Sequence, residues 1–240
     1  MITFTLTADP NTRLICDDDY LGPLLATYGD LIGELVQNGI SLDNDEIAHK
    51  ANEFNWDYRN PYKYRKLISM VPLPVALQSE VAHIETPLDK GLVHKREQGN
   101  VLLSDYCRMG MGIAFKGRDD WQELHSDHVS DHVDGIKIFE IIRQATLASF
   151  HINGLHYDSA VALTDLHIEY IRYVELSAPY IIFTIPVNRE DGGAMFTLFG
   201  IYQLGKLAAQ GYLATYTFRS KEAFSQKREV MKAEAATYAG

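Results

Sequence analysis

Several features are scarce in this sequence, and each absence excludes a class of protein. Cysteine occurs only twice, at Cys16 and Cys107, without the Cys-x-x-Cys spacing of a redox or zinc motif. This favours a reducing compartment and provides no disulfide framework. No run approaches the about 18 uninterrupted apolar residues that a membrane-spanning helix needs. The first residues lack the basic and apolar regions of a signal peptide. We therefore expect a cytoplasmic protein with no membrane span.

Positive charge is also scarce, because 22 Lys and Arg residues stand against 32 Asp and Glu residues, for a formal net charge of −10. Nucleic-acid binding relies on surplus Lys and Arg facing phosphates, so we expect no nucleic-acid partner. An acidic protein partner would need a local basic patch, for which Lys90, Lys95 and Arg96 are candidates. With 46% hydrophobic and 22% charged residues, the 240-residue chain has the composition of a globular protein with a sizeable core.

The clearest positive feature is an apolar segment at residues 131–152 that predicts one long helix. Asp131 or Asp134 can cap its start, and Asn153-Gly154 can end it in left-handed geometry. A helix that is apolar on most sides is buried on most sides. The apolar positions are Ile136, Ile138, Phe139, Ile141, Ile142, Ala145, Leu147, Ala148, Phe150 and Ile152.

Three polar residues interrupt this apolar helix on one face. Glu140, Arg143 and Gln144 are spaced i, i+3 and i+4, so they share a single turn. Burying a carboxylate and a guanidinium is costly unless the two are paired or placed for chemistry. These residues can therefore be interpreted either as a structural ion pair or as a catalytic site.

The loop before the helix is rich in imidazoles and carboxylates. It can be a metal site, a solvated surface loop, or the catalytic approach to the helix. The histidine spacing is not a recognised zinc spacing, so we expect no metal site. The residues concerned are His125, Asp127, His128, Asp131 and His132.

Outside this region the sequence predicts a mixed N-terminal part followed by several strands. Alternation predicts a strand at residues 2–6, apolar spacing predicts a helix over residues 20–37, and two prolines make residues 71–75 an extended connector. A solvated helix is predicted at residues 220–238. Strands are predicted at residues 92–105, 112–115, 157–173, 179–187, 194–205 and 211–218.

The opening strand and the helix together resemble the A-factor biosynthesis (AfsA) hotdog family. The matching residues are Leu92-Val93-His94-Lys95-Arg96, Val101-Leu102-Leu103-Ser104-Asp105 and Glu140-Ile141-Ile142-Arg143-Gln144, and the likeness spans residues 92–218. It implies an α+β hotdog fold, in which an antiparallel sheet wraps a long central helix, preceded by a mixed, mainly helical extension. We divide the chain into residues 1–88, 89–219 and 220–240. Because residues 1–88 hold no second Glu-x-x-Arg-Gln, a degenerate hotdog repeat and an unrelated extension remain alternatives for them.

The resemblance also implies where the site lies. In hotdog enzymes the thioester carbonyl sits near the N-terminus of the central helix, where backbone N–H groups can stabilise an oxyanion. We assign catalytic roles to Glu140, Arg143 and His132, with desolvation expected to raise the pKa of Glu140 into the range of a general base. Substrate-binding roles are assigned to Gly135, Gln144, His125 and His94.

The function implied is transfer or condensation of an acyl chain, from a carrier protein or coenzyme A, with a small hydroxylated acceptor in signal or secondary-metabolite biosynthesis. A β-hydroxyacyl dehydratase or a thioesterase is the enzyme alternative. The absence of loop prolines and the position of His125 relative to Glu140 depart from the dehydratase pattern. A non-catalytic acyl-binding or interaction protein is the alternative of another class. We expect no cofactor beyond the acyl thioester, an acyl carrier protein as one source of that thioester, and a homodimer.

Overall fold

The computed structural model describes residues 2–118, 130–189 and 192–238. Its N-terminal part contains an antiparallel sheet of four strands in the order β2-β1-β3-β4. Short helices follow and connect this sheet to the rest of the chain. The elements are β1 (Ile2–Leu6), β2 (Arg13–Cys16), α1 (Leu21–Tyr28), β3 (Ile32–Gln37), β4 (Ile40–Leu42), α2 (Asn44–Glu53), α3 (Leu67–Met70) and α4 (Val75–Ala82).

The helix predicted over residues 20–37 is wrong in its second half. Helix α1 ends at Tyr28, a 3-10 turn follows, and the chain continues as strand β3. Strand β3 pairs with β1, where Leu35 lies opposite Phe4, and both Ile32 and Leu35 are buried. Short apolar runs fit a helix or a strand equally well, so the pairing with β1 decides the outcome.

The second sheet has six antiparallel strands in the order β5-β6-β8-β9-β10-β7 and packs around one long helix. The predicted hotdog arrangement is thereby confirmed. The strands and terminal helix predicted after residue 110 are confirmed within a few residues of their bounds. The elements are β5 (Leu103–Met109), β6 (Gly112–Gly117), α5 (Gly135–Ile152), β7 (Ala160–Tyr170), β8 (Tyr180–Val187), β9 (Gly193–Gln203), β10 (Lys206–Phe218) and α6 (Lys221–Tyr238).

The strand predicted over residues 92–105 is wrong in its first part. Two 3-10 turns occupy residues 90–93 and 98–100, and β5 begins only at Leu103. Between the turns His94 takes a left-handed backbone conformation, with φ of +57°, which an extended strand does not contain. The Lys95 N–H donates to the Lys90 carbonyl at 3.0 Å and closes the first turn, so this segment folds back on itself.

Helix α5 forms the centre of the second part, as its apolar sequence predicts. Ile138, Ile141, Ile142, Ala145 and Ala148 are all buried in one core with strands of the six-stranded sheet. Burying each large aliphatic side chain contributes about 1.5–3 kcal/mol before conformational entropy is subtracted. The helix is therefore held by packing along most of its length.

The C-terminal end of α5 follows the predicted stop signal. Gly154 has φ of +96°, its N–H donates to the His151 carbonyl, and the Leu155 N–H donates to the Phe150 carbonyl. These two bonds form a Schellman motif, which satisfies carbonyl groups that the helix leaves unpaired. The Asn153-Gly154 prediction is confirmed.

The N-terminal part covers the face of the six-stranded sheet opposite α5. Ile68 of α3 lies against Gly200 of β9, where an added Cβ would come within 2.6 Å of the Ile68 side chain. Tyr64 stacks on Phe196 with ring centroids 5.7 Å apart. Glycine at position 200 thus permits the close approach of α3. The boundary between residues 88 and 89 stays a prediction.

Candidate functional site

The start of α5 is fixed by a short pairing between two loops. The Val133 N–H donates to the Val174 carbonyl at 2.8 Å, and the Leu176 N–H donates to the Asp131 carbonyl at 3.1 Å. Asp134 occupies the N-cap position, but its carboxylate makes no capping hydrogen bond, so the expected side-chain cap is not formed. The first backbone N–H groups of α5 are therefore not capped by the side chain at this position.

A cavity of about 400 Å³ opens beside this helix end. Most of its lining is apolar or aromatic, with one imidazole and one guanidinium. Such a mixture suits an apolar ligand that carries a polar group. The lining residues are His132, Val133, Gly135, Ile138, Tyr170, Ile171, Arg172, Tyr173 and Val174.

His132 lies at the rim of this cavity with a defined hydrogen-bonding partner. Its Nδ1 is 2.9 Å from the Asp131 Oδ1, and its ring lies 4.8 Å from the Tyr173 ring. The hydrogen bond from His132 holds the pKa of the Asp131 carboxyl below its ordinary value. A carboxylate that accepts from Nδ1–H leaves Nε2 of a neutral imidazole without a proton. This nitrogen can accept a proton from a bound molecule.

Two residues that the sequence analysis missed join His132 at the cavity. Tyr170 ends β7, and its hydroxyl lies 3.7 Å from where a Cβ on Gly135 would be. Partial burial raises the pKa of Tyr170 although 54% of the residue is exposed, so its phenol stays protonated at neutral pH and can donate a hydrogen bond. Tyr173 contributes its exposed ring. Both lie within the strand predicted over residues 157–173, and only the pairing of the following loop with residues 131–133 shows that they reach this cavity.

Glu140, Arg143 and Gln144 meet on α5 as predicted, and Lys95 joins them. Arg143 donates from Nε and Nη2 to the two Glu140 oxygens, at 2.6 Å each. Gln144 Nε2 donates to Glu140 Oε1 at 2.9 Å, and Lys95 Nζ lies 3.2 Å from the same oxygen. The side chains of Glu140, Arg143 and Lys95 are 12%, 22% and 16% exposed. We call these four residues the Glu140 cluster.

The expectation of a raised pKa for Glu140 is wrong. Burial alone raises this pKa, but the hydrogen bonds and charge of Arg143, with further contributions from Gln144 and Lys95, lower it below its ordinary value. Two cations and an amide favour the ionised carboxylate more than desolvation disfavours it. Glu140 is therefore a weaker base than the sequence analysis assumed.

Gln144 connects the cluster to the segment before β5. Its Oε1 accepts from the Leu102 N–H at 2.9 Å, and its Nε2 also donates to the Asn100 carbonyl at 2.9 Å. The side chain is fully buried, and both ends of its amide are bonded within the protein. Gln144 therefore holds Glu140 through the bond from its Nε2, and its substrate-binding role stays a prediction.

The predicted site residues lie in separate places along α5. His132 and Gly135 line the cavity at the N-terminus, whereas Glu140 and Arg143 do not line it. His94 lies near the C-terminal end, where its Nε2 is 2.9 Å from the Nε2 of His151. His125 falls outside the described residues.

Two lysines of the basic patch considered for an acidic partner are engaged by groups within the folded chain. Lys95 is turned onto Glu140, and Lys90 Nζ donates to the Arg96 carbonyl at 2.7 Å. In residues 2–118, 130–189 and 192–238, no three or more His, Cys, Asp or Glu side chains are grouped so as to hold a metal ion. None of the helices in the described part of the chain is long and apolar enough to cross a membrane.

Several solved structures resemble the chain at low identity. One is an HP0420 homologue from Helicobacter felis, with 14% identity, a TM-score of 0.41, and coverage of 55% of this chain and 90% of that one. A putative thioesterase from Shewanella oneidensis has 14% identity and a TM-score of 0.38, with coverage of 53% and 85%. A hypothetical thioesterase from Streptococcus pneumoniae, solved with coenzyme A, has 11% identity and a TM-score of 0.38, with coverage of 48% and 86%.

No curated protein matches the chain. The sequence does match the A-factor biosynthesis hotdog domain family over residues 76–218, which is more than half of its length. This stretch contains α5, all six strands of the second sheet, the cavity at the helix N-terminus and the Glu140 cluster. The chain therefore belongs to the A-factor biosynthesis hotdog domain family.

Proposed function

We propose that the protein binds an acyl thioester, carried on coenzyme A or an acyl carrier protein, and transfers the acyl chain to a small hydroxylated acceptor. The observation that carries this proposal is the cavity at the start of α5, where apolar side chains and His132 meet a helix N-terminus that the Asp134 side chain does not cap. Family membership is consistent with acyl-thioester chemistry. The apolar lining would hold the first part of the acyl chain.

The helix N-terminus is the proposed site for the thioester carbonyl oxygen. Backbone N–H groups at a helix start carry partial positive charge and point at a bound oxygen without reorganising. Gly135 presents no side chain there, and the protonated Tyr170 hydroxyl offers another donor beside it. These groups would stabilise the negative charge that develops on the oxygen when the carbonyl carbon is attacked.

His132 is the proposed general base. Its Nε2 takes the proton of the acceptor hydroxyl while that oxygen attacks the thioester carbon and forms a C–O bond. The tetrahedral intermediate then collapses, the C–S bond breaks, and the thiolate takes the proton back from His132. Asp131 holds the imidazole in the required tautomer through the 2.9 Å contact with Nδ1. The products are an ester and a free thiol.

Glu140 and Arg143 serve a positioning role in this proposal. The ionised carboxylate is held by Arg143, Lys95 and Gln144, and the Gln144 amide in turn fixes the middle of α5 against Asn100 and Leu102. A rigid helix keeps Gly135 and the preceding His132 in place beside the cavity. We infer that the cluster supports the site rather than transferring protons in it.

A second copy of the chain is the expected partner. Strand β7 is the outer strand of the six-stranded sheet and pairs only with β10 among the described strands. At its end Tyr170 and Ile171 are 54% and 46% exposed, next to the exposed Tyr173. An open strand edge with exposed apolar residues favours pairing with another strand. A homodimer through this edge would enclose the cavity.

A non-catalytic acyl-binding protein is the second candidate, and the Glu140 cluster favours it. Both oxygens of the buried carboxylate are bonded within the protein, and the pKa of Glu140 is lowered, as in a structural ion pair. This candidate binds acyl thioesters in the cavity and leaves them unchanged. A thioesterase would use the proposed groups with water as the acceptor.

One experiment separates these functions. Purified protein is incubated with β-ketoacyl and β-hydroxyacyl thioesters, with and without dihydroxyacetone phosphate, and the products are followed by mass spectrometry. Transfer gives an acyl ester only with the acceptor, a thioesterase gives free acid in both cases, and a dehydratase gives the enoyl thioester. Binding with no consumption of either thioester would favour the non-catalytic candidate.

A further inference from the structure

His94 and His151 form a pair that shares one hydrogen between two ring nitrogens. Their Nε2 atoms are 2.9 Å apart, and the His151 Nδ1 lies 2.9 Å from the Leu155 carbonyl oxygen. Because a carbonyl only accepts, His151 carries its hydrogen on Nδ1 and leaves Nε2 bare when the ring is neutral. His94 must then donate from Nε2 to complete the bond.

The surroundings keep both rings neutral. Burial, followed by the charges of His151, Lys221 and Arg143, lowers the pKa of His94 to about 4. Burial also lowers the pKa of His151, against the hydrogen bond to Leu155, with smaller contributions from Lys221 and His156. These charged groups come from α5, α6 and the loop between α5 and β7. At neutral pH the pair therefore holds a single shared hydrogen.

This bond lies next to an unusual stretch of backbone. The left-handed conformation of His94, with φ of +57°, is uncommon for a residue with a side chain and requires surrounding contacts to hold it. The following residue is Lys95, whose Nζ lies 3.2 Å from Glu140 Oε1. Substitution of the His94 side chain would thus change the backbone direction at this residue and, with it, the position of the Lys95 side chain.

We propose that the hydrogen bond between His94 and His151 positions Lys95 against Glu140, which makes His94 a positioning residue of the Glu140 cluster. The inference rests on the proposed function, because the same cluster holds α5 beside the cavity. It also gives His94 a role different from the substrate contact expected from the sequence. Its Nε2 is directed at His151, and its influence on the cluster passes through the adjacent residue.

Chemical labelling of Lys95 tests this proposal without any substrate. Full-length protein is treated with acetic anhydride at neutral pH, and acetylation at each lysine is followed by mass spectrometry. In the wild type, Lys95 should react slowly, because its side chain is 16% exposed and its ammonium is paired with Glu140. His94→Leu should raise the labelling rate of Lys95 several-fold, and His94→Gln, whose amide can donate to His151, should restore most of the protection.

Lys116 provides the internal control, because it is also 16% exposed and is paired with Glu85 at 2.5 Å. Its labelling should not change in any His94 variant. His156→Leu is the matched control variant at the same helix end and should leave Lys95 protected. His94→Gly removes the donor but suits the left-handed backbone, so it should stay folded and expose Lys95 to a smaller extent than His94→Leu does.

Two results would overturn the proposal. One is unchanged protection of Lys95 in both His94→Leu and His94→Gly, and the other is an equal rise at Lys95 and Lys116, which indicates general loosening. Because labelling requires no turnover, either result is distinguishable from failure of the proposed function, which is judged by consumption of acyl thioesters.

Discussion

Replacing Glu140 by glutamine should destabilise the protein strongly, although it changes little of the side-chain shape. The substitution removes the charge that Arg143 contacts through two 2.6 Å bonds and that Lys95 approaches at 3.2 Å. Breaking a buried ion pair costs about 3–5 kcal/mol, because the remaining cation loses its partner. The 12% exposure of Glu140 places the expected cost near the lower end, at about 3 kcal/mol. With a urea m-value of about 3 kcal/mol/M, the unfolding midpoint should fall by about 1 M.

Glu85→Gln is the matched control for this measurement. Glu85 pairs with Lys116 at 2.5 Å, but the Glu85 side chain is 82% exposed. Exposed ion pairs contribute little to stability, so the midpoint should change far less than in Glu140→Gln. Equal shifts in the two variants would refute the reasoning, because they would mean that burial of the Glu140 cluster has no energetic consequence.

The difference in unfolding free energy between wild type and Glu140→Gln should depend on pH in a definite direction. The pKa of Glu140 is lowered in the folded chain, so its contribution is fully present above the unfolded pKa of about 4.3. It is lost as the pH falls through the lower folded-state pKa. The gap in stability between wild type and Glu140→Gln should therefore be constant near neutral pH and shrink in acid. A gap that widens on acidification would contradict the lowered pKa.

Two further substitutions test the helix start and the link to β5. Gly135→Ala should raise stability by about 0.5–1 kcal/mol, because alanine loses less backbone entropy in a helix and, among the described residues, the new Cβ meets only the Tyr170 hydroxyl at 3.7 Å. It should also weaken thioester binding in calorimetry, and unaltered affinity would argue against the carbonyl lying there. Gln144→Leu should lower the free energy of unfolding by about 1–3 kcal/mol, since the Leu102 N–H loses its buried acceptor. In this variant the backbone amide of Leu102 should exchange hydrogen faster than in the wild type. Unchanged exchange would contradict the role of Gln144 as the acceptor that protects this amide.

The sequence predicts the central helix well because its information is local. The apolar residues of α5 and the Asn153-Gly154 stop require no knowledge of the rest of the chain. The segment before β5 is different, because a left-handed His94 leaves no signal in an apolar pattern. Strand β3 was likewise missed, since its identity depends on pairing with β1.

The candidate site also combines contacts that local spacing predicts with contacts that only the folded chain reveals. Spacing along one helix brings Glu140, Arg143 and Gln144 together, and they are found in contact. Arg143, on the same helix, lowers the pKa of Glu140 most, and Lys95, which reaches the cluster from a separate turn, adds a smaller contribution. Tyr170 meets Gly135 only because the loop after β7 pairs with the loop before α5. Contacts between distant segments therefore decide what the residues can do.

The most direct test of the proposed transfer is a titration of the acceptor at fixed acyl thioester, comparing wild type, His132→Gln and the control His156→Gln. In wild type and His156→Gln, the ratio of ester formed to thiol released should rise with the concentration of the acceptor, dihydroxyacetone phosphate, and then saturate. His132→Gln should lose about 100-fold or more in turnover while keeping its urea midpoint. Thiol release that ignores the acceptor, or full ester formation by His132→Gln, would contradict transfer at the start of α5.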